Sequence, residues 1–170
     1  GKDCYYDHLA ETYKPVRLNS KELTFSYLKN NNMLIKKKWS ASLVDLNDGV
    51  AGLEFHSVLK ADLNPIDGSI MESIQYAINW VRDNGYSGLV ISGDSTNFSA
   101  GANLNLILNA ARRKDWKGIN LVSKYMQDTL QNVRFSPFPV VAAPYGLVLG
   151  GGFEVISACD KIVAAAESYI

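Results

Sequence analysis

The chain uses one local plan twice: a short apolar run, a loop of small residues, then a helix-forming stretch. The first copy is Leu89-Val90-Ile91-Ser92, then Asn97-Phe98-Ser99-Ala100-Gly101-Ala102-Asn103, then a helix from Leu104. The second is Val140-Val141-Ala142-Ala143, then Gly146-Leu147-Val148-Leu149-Gly150-Gly151-Gly152, then a helix carrying Glu154. Strands that alternate with helices are joined by crossovers, and crossovers make neighbouring strands parallel. The fold class implied is α/β with a largely parallel sheet. At 170 residues there is chain for one such domain.

The second copy lies inside the longest uncharged stretch, Phe135–Phe153. Its length raises the question of a membrane helix, but Pro137, Pro139, Pro144 and Gly150–Gly152 would break one. It reads instead as strand, turn and site, and no membrane partner is expected. Around the two copies the pattern is consistent. Ser42–Leu46 and Val50–Phe55 flank Asn47-Asp48-Gly49, a hairpin signal. Asp67 can cap a helix running to Asn84, with Ile70, Met71, Ile74, Ala77, Ile78 and Val81 on one stripe and Gly85 as a left-handed terminator. After Leu104, Ile107, Leu108 and Ala111 form a stripe, and a helix from about Asp115 to Arg134 carries Ile119, Val122, Met126, Leu130 and Val133. A short helix Phe153–Ala158 and a strand Lys161–Ala165 follow. Trp80 and Trp116 fall on helices and read as packing residues.

Charge divides the chain. Residues 1–38 hold eight Lys/Arg against four Asp/Glu, and residues 39–170 hold nine against thirteen. A mildly acidic core argues against a nucleic-acid partner. Residues 1–38 show weak periodicity around Leu23–Leu28 and end in Lys36-Lys37-Lys38, so they read as a linker or tail, poorly ordered or loosely packed. Residues 39–170 read as the folded core. The opening Gly1 and the extended-looking close at Ser168-Tyr169-Ile170 suggest a piece of a longer protein. Two cysteines, Cys4 and Cys159, are too few for a disulfide framework and point to a reducing cytoplasm. His8 and His56 are far apart in sequence with no cysteine pair nearby, so no metal is expected. His56, between a strand and a loop, reads as capped or solvent-facing.

The two small-residue loops carry the chemistry. Backbone N–H groups at a helix start have no partner within the helix, and small residues let a ligand approach them. Two such donors converging on one oxygen form an oxyanion hole. The alternative is a pair of glycine turns that pack helices close to strands. Gly150-Gly151-Gly152 lacks the Lys-Ser/Thr of a phosphate loop, no Gly-x-Gly-x-x-Gly opens a helix, and no Gly-x-Ser-x-Gly elbow is present. Glu154, between Phe153 and Val155 near a helix start, suits general acid/base work, or else simply complements the helix dipole.

These residues resemble the crotonase (enoyl-CoA hydratase/isomerase) superfamily: Asn97–Leu104, Pro139–Ala143, Gly150–Glu154 and Cys159-Asp160. More narrowly, Leu53–Ser57, Asn97–Asn103 and Ala164–Ile170 are similar to the hydratase part of bacterial 3-hydroxyacyl-CoA dehydrogenases of fatty-acid β-oxidation. The resemblance implies a spiral of ββα units whose C-terminal helices lie outside this chain. It implies oxyanion donors at the N–H groups of Ala102 and Gly151, with Glu154 as the first catalytic glutamate and Ala100, Gly101, Asn103, Leu104 and Gly150 around the substrate. Asn103 stands where many members have Asp. Lys60 and Ala61 lie near the family's CoA contacts. The family's second glutamate falls beyond Ile170, so hydration by these residues alone is not expected. The partner implied is an acyl-CoA, with hydration of trans-2-enoyl-CoA as the reaction. Enoyl-CoA isomerisation, or a non-catalytic acyl-CoA-binding or assembly module, is the alternative. No cofactor is expected in this chain, since the substrate carries CoA and NAD would belong to a dehydrogenase region upstream. A homo-oligomer is expected of the intact protein.

Overall fold

The computed structural model describes residues 4–15, 23–58 and 60–170. Near the start, β1 (Cys4–Asp7) and β2 (Thr12–Pro15) pair as an antiparallel hairpin separate from the main sheet. Next come α1 (Phe25–Asn30), β3 (Leu34–Lys37), β4 (Ala41–Asp45) and β5 (Val50–Phe55). After them α2 (Gly68–Asp83), β6 (Gly88–Ser92), α3 (Leu104–Arg112), α4 (Trp116–Arg134), β7 (Val140–Ala142), α5 (Gly151–Ala158) and β8 (Lys161–Ile162) complete the order.

The six strands β3 to β8 lie side by side in chain order. The pairs β3–β4 and β4–β5 are antiparallel, and β5–β6, β6–β7 and β7–β8 are parallel. The sheet changes sense where the connections change. Asn47, Asp48 and Gly49 take φ of 68°, 53° and 73° and turn β4 tightly into β5, whereas α2, then α3 with α4, then α5 carry the chain between parallel strands. The expected hairpin and the expected crossovers are both present.

The reading of β4 and β5 as continuous apolar runs follows from burial on both sides. Ala41, Leu43, Ala51, Leu53 and Phe55 join Ile70, Ile74, Ala77 and Val81 of α2 in the principal core. The alternate face carries Val44, which packs with Phe25 and Leu28 of α1. Glu54 belongs to that second face, and both its carboxylate oxygens accept from the Lys29 ammonium of α1 at 2.8 Å.

The tail expected over residues 1–38 is therefore too long. Thr24 caps α1 by accepting the Tyr27 N–H at 3.1 Å. The Asp94 carboxylate accepts the Phe25 and Ser26 N–H groups at 3.0 and 2.7 Å. β3 then extends the sheet beyond β4. A helix of six residues shows too few turns for its stripe to stand out in sequence, and tertiary partners supply what propensity cannot. Residues 1–3 and 16–22 of that expected tail lie outside the described residues.

Helix α2 begins and ends as expected, with the Asp67 carboxylate accepting the Ile70 N–H at 2.8 Å and Gly85 at φ 69°. Two other helices differ. The stripe of α3 is not buried: Leu104, Ile107 and Leu108 are exposed, as is Trp116, because no described residue packs over that side. In α4 only the C-terminal half docks, through Thr129 and Val133. Strand β8 stops at Ile162 instead of Ala165, and α5 starts at Gly151, two residues before the expected Phe153.

Candidate active site

The two small-residue loops leave the C-terminal ends of β6 and β7, adjacent parallel strands in which Ile91 pairs with Ala142. Leaving from one edge, they run alongside each other. Phe98 N–H donates to Tyr145 O at 3.0 Å, Ser99 N–H to Leu147 O at 3.0 Å, and Leu149 N–H to Ser99 O at 2.9 Å. The loop after β5 flanks the other side. Ala100 N–H donates to Leu63 O at 2.7 Å and Ile66 N–H to Gly101 O at 3.0 Å, so Ile66 bridges Ala102 in parallel register.

Glycine is required where these loops touch. Gly101 has φ +95°, and a Cβ there would lie 2.9 Å from Leu149 O and 3.4 Å from Gly151 N. Gly152 packs so closely that its Cβ would come within 2.8 Å of Ser99 Cβ. Close packing, one of the two readings left open above, is present here. Only the missing Cβ of Gly101 would fit between that residue and Gly151 N, so the segment that carries Ala102 runs beside the start of α5. Among the described residues no hydrogen bond engages the N–H of Ala102 or of Gly151. Both stand at loop-to-helix junctions.

A cleft of about 290 Å³ opens beside the first loop, lined in part by Lys60, Leu63, Ala100, Gly101, Ala102 and Asn103. Leu104 also lines it and is 73% exposed. Asn103 caps α3, its side-chain oxygen accepting the Asn105 N–H at 3.2 Å. Ala61 is exposed and lies outside the cleft lining. Gly150, Gly151 and Glu154 also stand outside that lining. Gly150 is exposed, with φ +49° where the chain enters α5. Gly151 is buried against Ile66 and Met126. Glu154 lies one helical turn past Gly151 and is exposed, not enclosed by apolar groups. The reason is the helix's other face: Gly152, Val155, Ile156 and Ala158 take the buried side, which leaves Phe153 and Glu154 outward.

Two polar groups lie near the site without lining it. His56 is half-buried, with Nε2 2.6 Å from Ser42 Oγ, and burial lowers its pKa, opposed in part by Glu54. Burial pushes the Tyr145 phenol above its usual value, so it stays a neutral hydroxyl that accepts the Ser95 N–H at 3.1 Å. Among the described residues no group of three or more His, Cys, Asp or Glu gathers that could hold a metal ion. No helix among them is long and apolar enough to cross a membrane.

Two asparagines have no role assigned from the sequence, although Asn97 opens the first loop. Asn64 is completely buried, and Asn97 is half-buried between loops. The Asn64-Pro65 pair is a turn signal, and a polar residue in a turn gives no sign that its side chain points inward.

A mixed sheet with parallel crossovers and paired glycine loops at its C-terminal edge defines a crotonase-type α/β protein. Solved structures of that class superpose on it. The enoyl-CoA hydratase of Bacillus halodurans matches with a TM-score of 0.68 at 21% identity, over 76% of this chain and 51% of that one. The enoyl-CoA hydratase of Shewanella pealeana matches with a TM-score of 0.65 at 20% identity, over 84% and 51%. The model of the enoyl-CoA hydratase/isomerase family matches residues 45–170, and the chain belongs to that family. Among curated relatives, the "Probable 3-hydroxyacyl-CoA dehydrogenase" of Bacillus subtilis is 38% identical over the whole chain, which spans 21% of that protein. The ethylmalonyl-CoA decarboxylase of Bos taurus is 31% identical over 80% of the chain, which spans 45% of it. The chain thus spans half or less of the length of these relatives.

Proposed function

We propose that this chain supplies the thioester-holding part of an enoyl-CoA hydratase acting in β-oxidation. The observation that carries the proposal is the close approach of the Gly101 segment to Gly151, where an added Cβ would lie 3.4 Å from Gly151 N, with the N–H groups of Ala102 and Gly151 both unengaged at neighbouring loop ends. Both would donate to the thioester carbonyl oxygen and stabilise the enolate formed when water adds to the β-carbon. One such donor is worth about 2.7–4 kcal/mol in the transition state. Glu154 would take a proton from the attacking water, and a second acid would deliver one to the α-carbon. Lys60, at the cleft wall, would face the CoA part of the substrate. The chemistry asks for no bound cofactor in these residues, and NAD would serve only an attached dehydrogenase.

The setting we propose is the cytoplasm, and the exposed face of α3 and α4 would be covered in a homo-oligomer of the intact protein. The reaction belongs with the lyases. The 170 residues alone would have negligible hydratase activity, because Glu154 fills only part of the acid/base role. The test is Glu154→Gln in the natural polypeptide that carries this sequence. Turnover of trans-2-enoyl-CoA to 3-hydroxyacyl-CoA should vanish while acyl-CoA binding is kept. Full turnover in that variant would refute the assignment, and a product with a shifted double bond in the unaltered protein would favour the isomerase.

A further inference from the structure

The donor-bearing loops have no regular structure of their own, yet an oxyanion hole functions only if its donors are already aimed. Two asparagine side chains tie these loops together. Asn64, fully buried and at a left-handed φ of 44°, turns its carboxamide inward. Its Oδ1 accepts the Ser57 N–H at 2.8 Å. Its Nδ2 donates to Phe98 O at 2.8 Å and Phe55 O at 3.2 Å, with Ser95 Oγ at 3.4 Å. The end of β5, the loop after it and the first donor loop are thereby joined at one side chain. On either side of Asn64, Leu63 O and Ile66 N–H hold the Ala100–Gly101 segment whose next N–H is that of Ala102.

Asn97 makes the complementary link. Its Nδ2 donates to Asp62 O at 2.6 Å and its Oδ1 accepts the Leu147 N–H at 2.9 Å. Gly146 takes φ +55° beside it, where a Cβ would lie 2.7 Å from that same Oδ1. Asn97 therefore ties the loop after β5 to the second donor loop, the one that ends at Gly151. Both carboxamides use donor and acceptor at once, and both join loops to loops.

We propose that Asn64 and Asn97 are positioning residues that set the relative direction of the Ala102 and Gly151 N–H groups. The proposal rests on the thioester-site reading above. Asn64→Gly keeps the left-handed backbone and removes the carboxamide, and Asn97→Ser shortens the half-buried link. Ile74→Val, in the principal core on α2, serves as a control that weakens packing without touching the loops. The natural polypeptide is mixed with trans-2-butenoyl-CoA labelled with ¹³C at the thioester carbonyl, and the carbonyl stretch is read by infrared difference spectroscopy. Polarisation by the two donors lowers that frequency.

Both asparagine variants should bind the probe nearly as well as the unaltered protein yet lose most of the downshift. Their kcat should fall by about 100-fold, the scale expected for an ångström of misplacement, with KM changed little. Ile74→Val should melt earlier and keep the full downshift. If Asn64→Gly does not fold, Asn97→Ser decides alone. A full downshift in the folded variants overturns the positioning role. An unshifted carbonyl in the unaltered protein overturns the thioester-site reading itself.

Discussion

Gly152→Ala sets two effects of opposite sign against each other. Gly152 lies in the first turn of α5 with ordinary helical backbone, so alanine there should gain about 0.5–1 kcal/mol of helix propensity. The added Cβ would lie 2.8 Å from Ser99 Cβ and 3.1 Å from Ser99 O, against the 3.4 Å at which ordinary contact begins. Neither neighbour is the far end of a flexible side chain, and Ser99 is hydrogen-bonded to Leu147 and Leu149 on one side. About 0.6 Å must therefore come from a shift of α5 away from the first donor loop, as the difference between those two distances shows. Overpacking of this kind costs about 1–3 kcal/mol.

The steric term wins, leaving a net loss of about 1–2 kcal/mol and a Tm lower by about 3–6 °C for a chain of this size. The same shift separates Gly151 from Ala102, so kcat/KM should fall by more than the melting temperature alone explains. Differential scanning calorimetry and steady-state hydration kinetics on the natural polypeptide measure both. A raised Tm with unchanged kinetics would show that the loop yields freely and would refute the claim that glycine is required there.

Lys29→Met should cost about 3 kcal/mol in urea unfolding, because it strands the Glu54 carboxylate, whose side chain is only 4% exposed. Adding Glu54→Gln should recover most of that loss, and no recovery would deny the pairing. Burial holds the His56 pKa below 6.5, so the unfolded chain takes up a proton more readily than the folded one. Stability should fall as pH drops from 6.5 toward the folded value, and His56→Gln should flatten that segment of the curve. The Cys159 thiol is pushed up to about 12, by burial first and by Asp160 second, so iodoacetamide near neutral pH should label it only as fast as the protein opens. Labelling at the rate of a free thiol would contradict this.

Much of the architecture was legible in local chemistry. The stripe from Ile70 to Val81 and the turn at Asn47–Gly49 are spelled out by neighbouring residues, because helix periodicity and turn dihedrals are local properties. The two copies of the strand–loop–helix plan likewise marked the two loops, while the choice of Ala102 and Gly151 within them came only from the family resemblance. Tertiary structure decided what depends on partners distant in sequence. Helix α1 exists because Asp94 caps it and Glu54 receives Lys29, contacts that span 69 and 25 positions. The stripe of α3 reads as a core face yet stays exposed among the described residues, since periodicity specifies a face and not what covers it. The sequence by itself determined which small residues would form the two loops. Only the folded chain determined that Gly101 meets Gly151 and that Asn64 turns inward, because hydrogen bonds between loops form only after the sheet has brought the loop ends together.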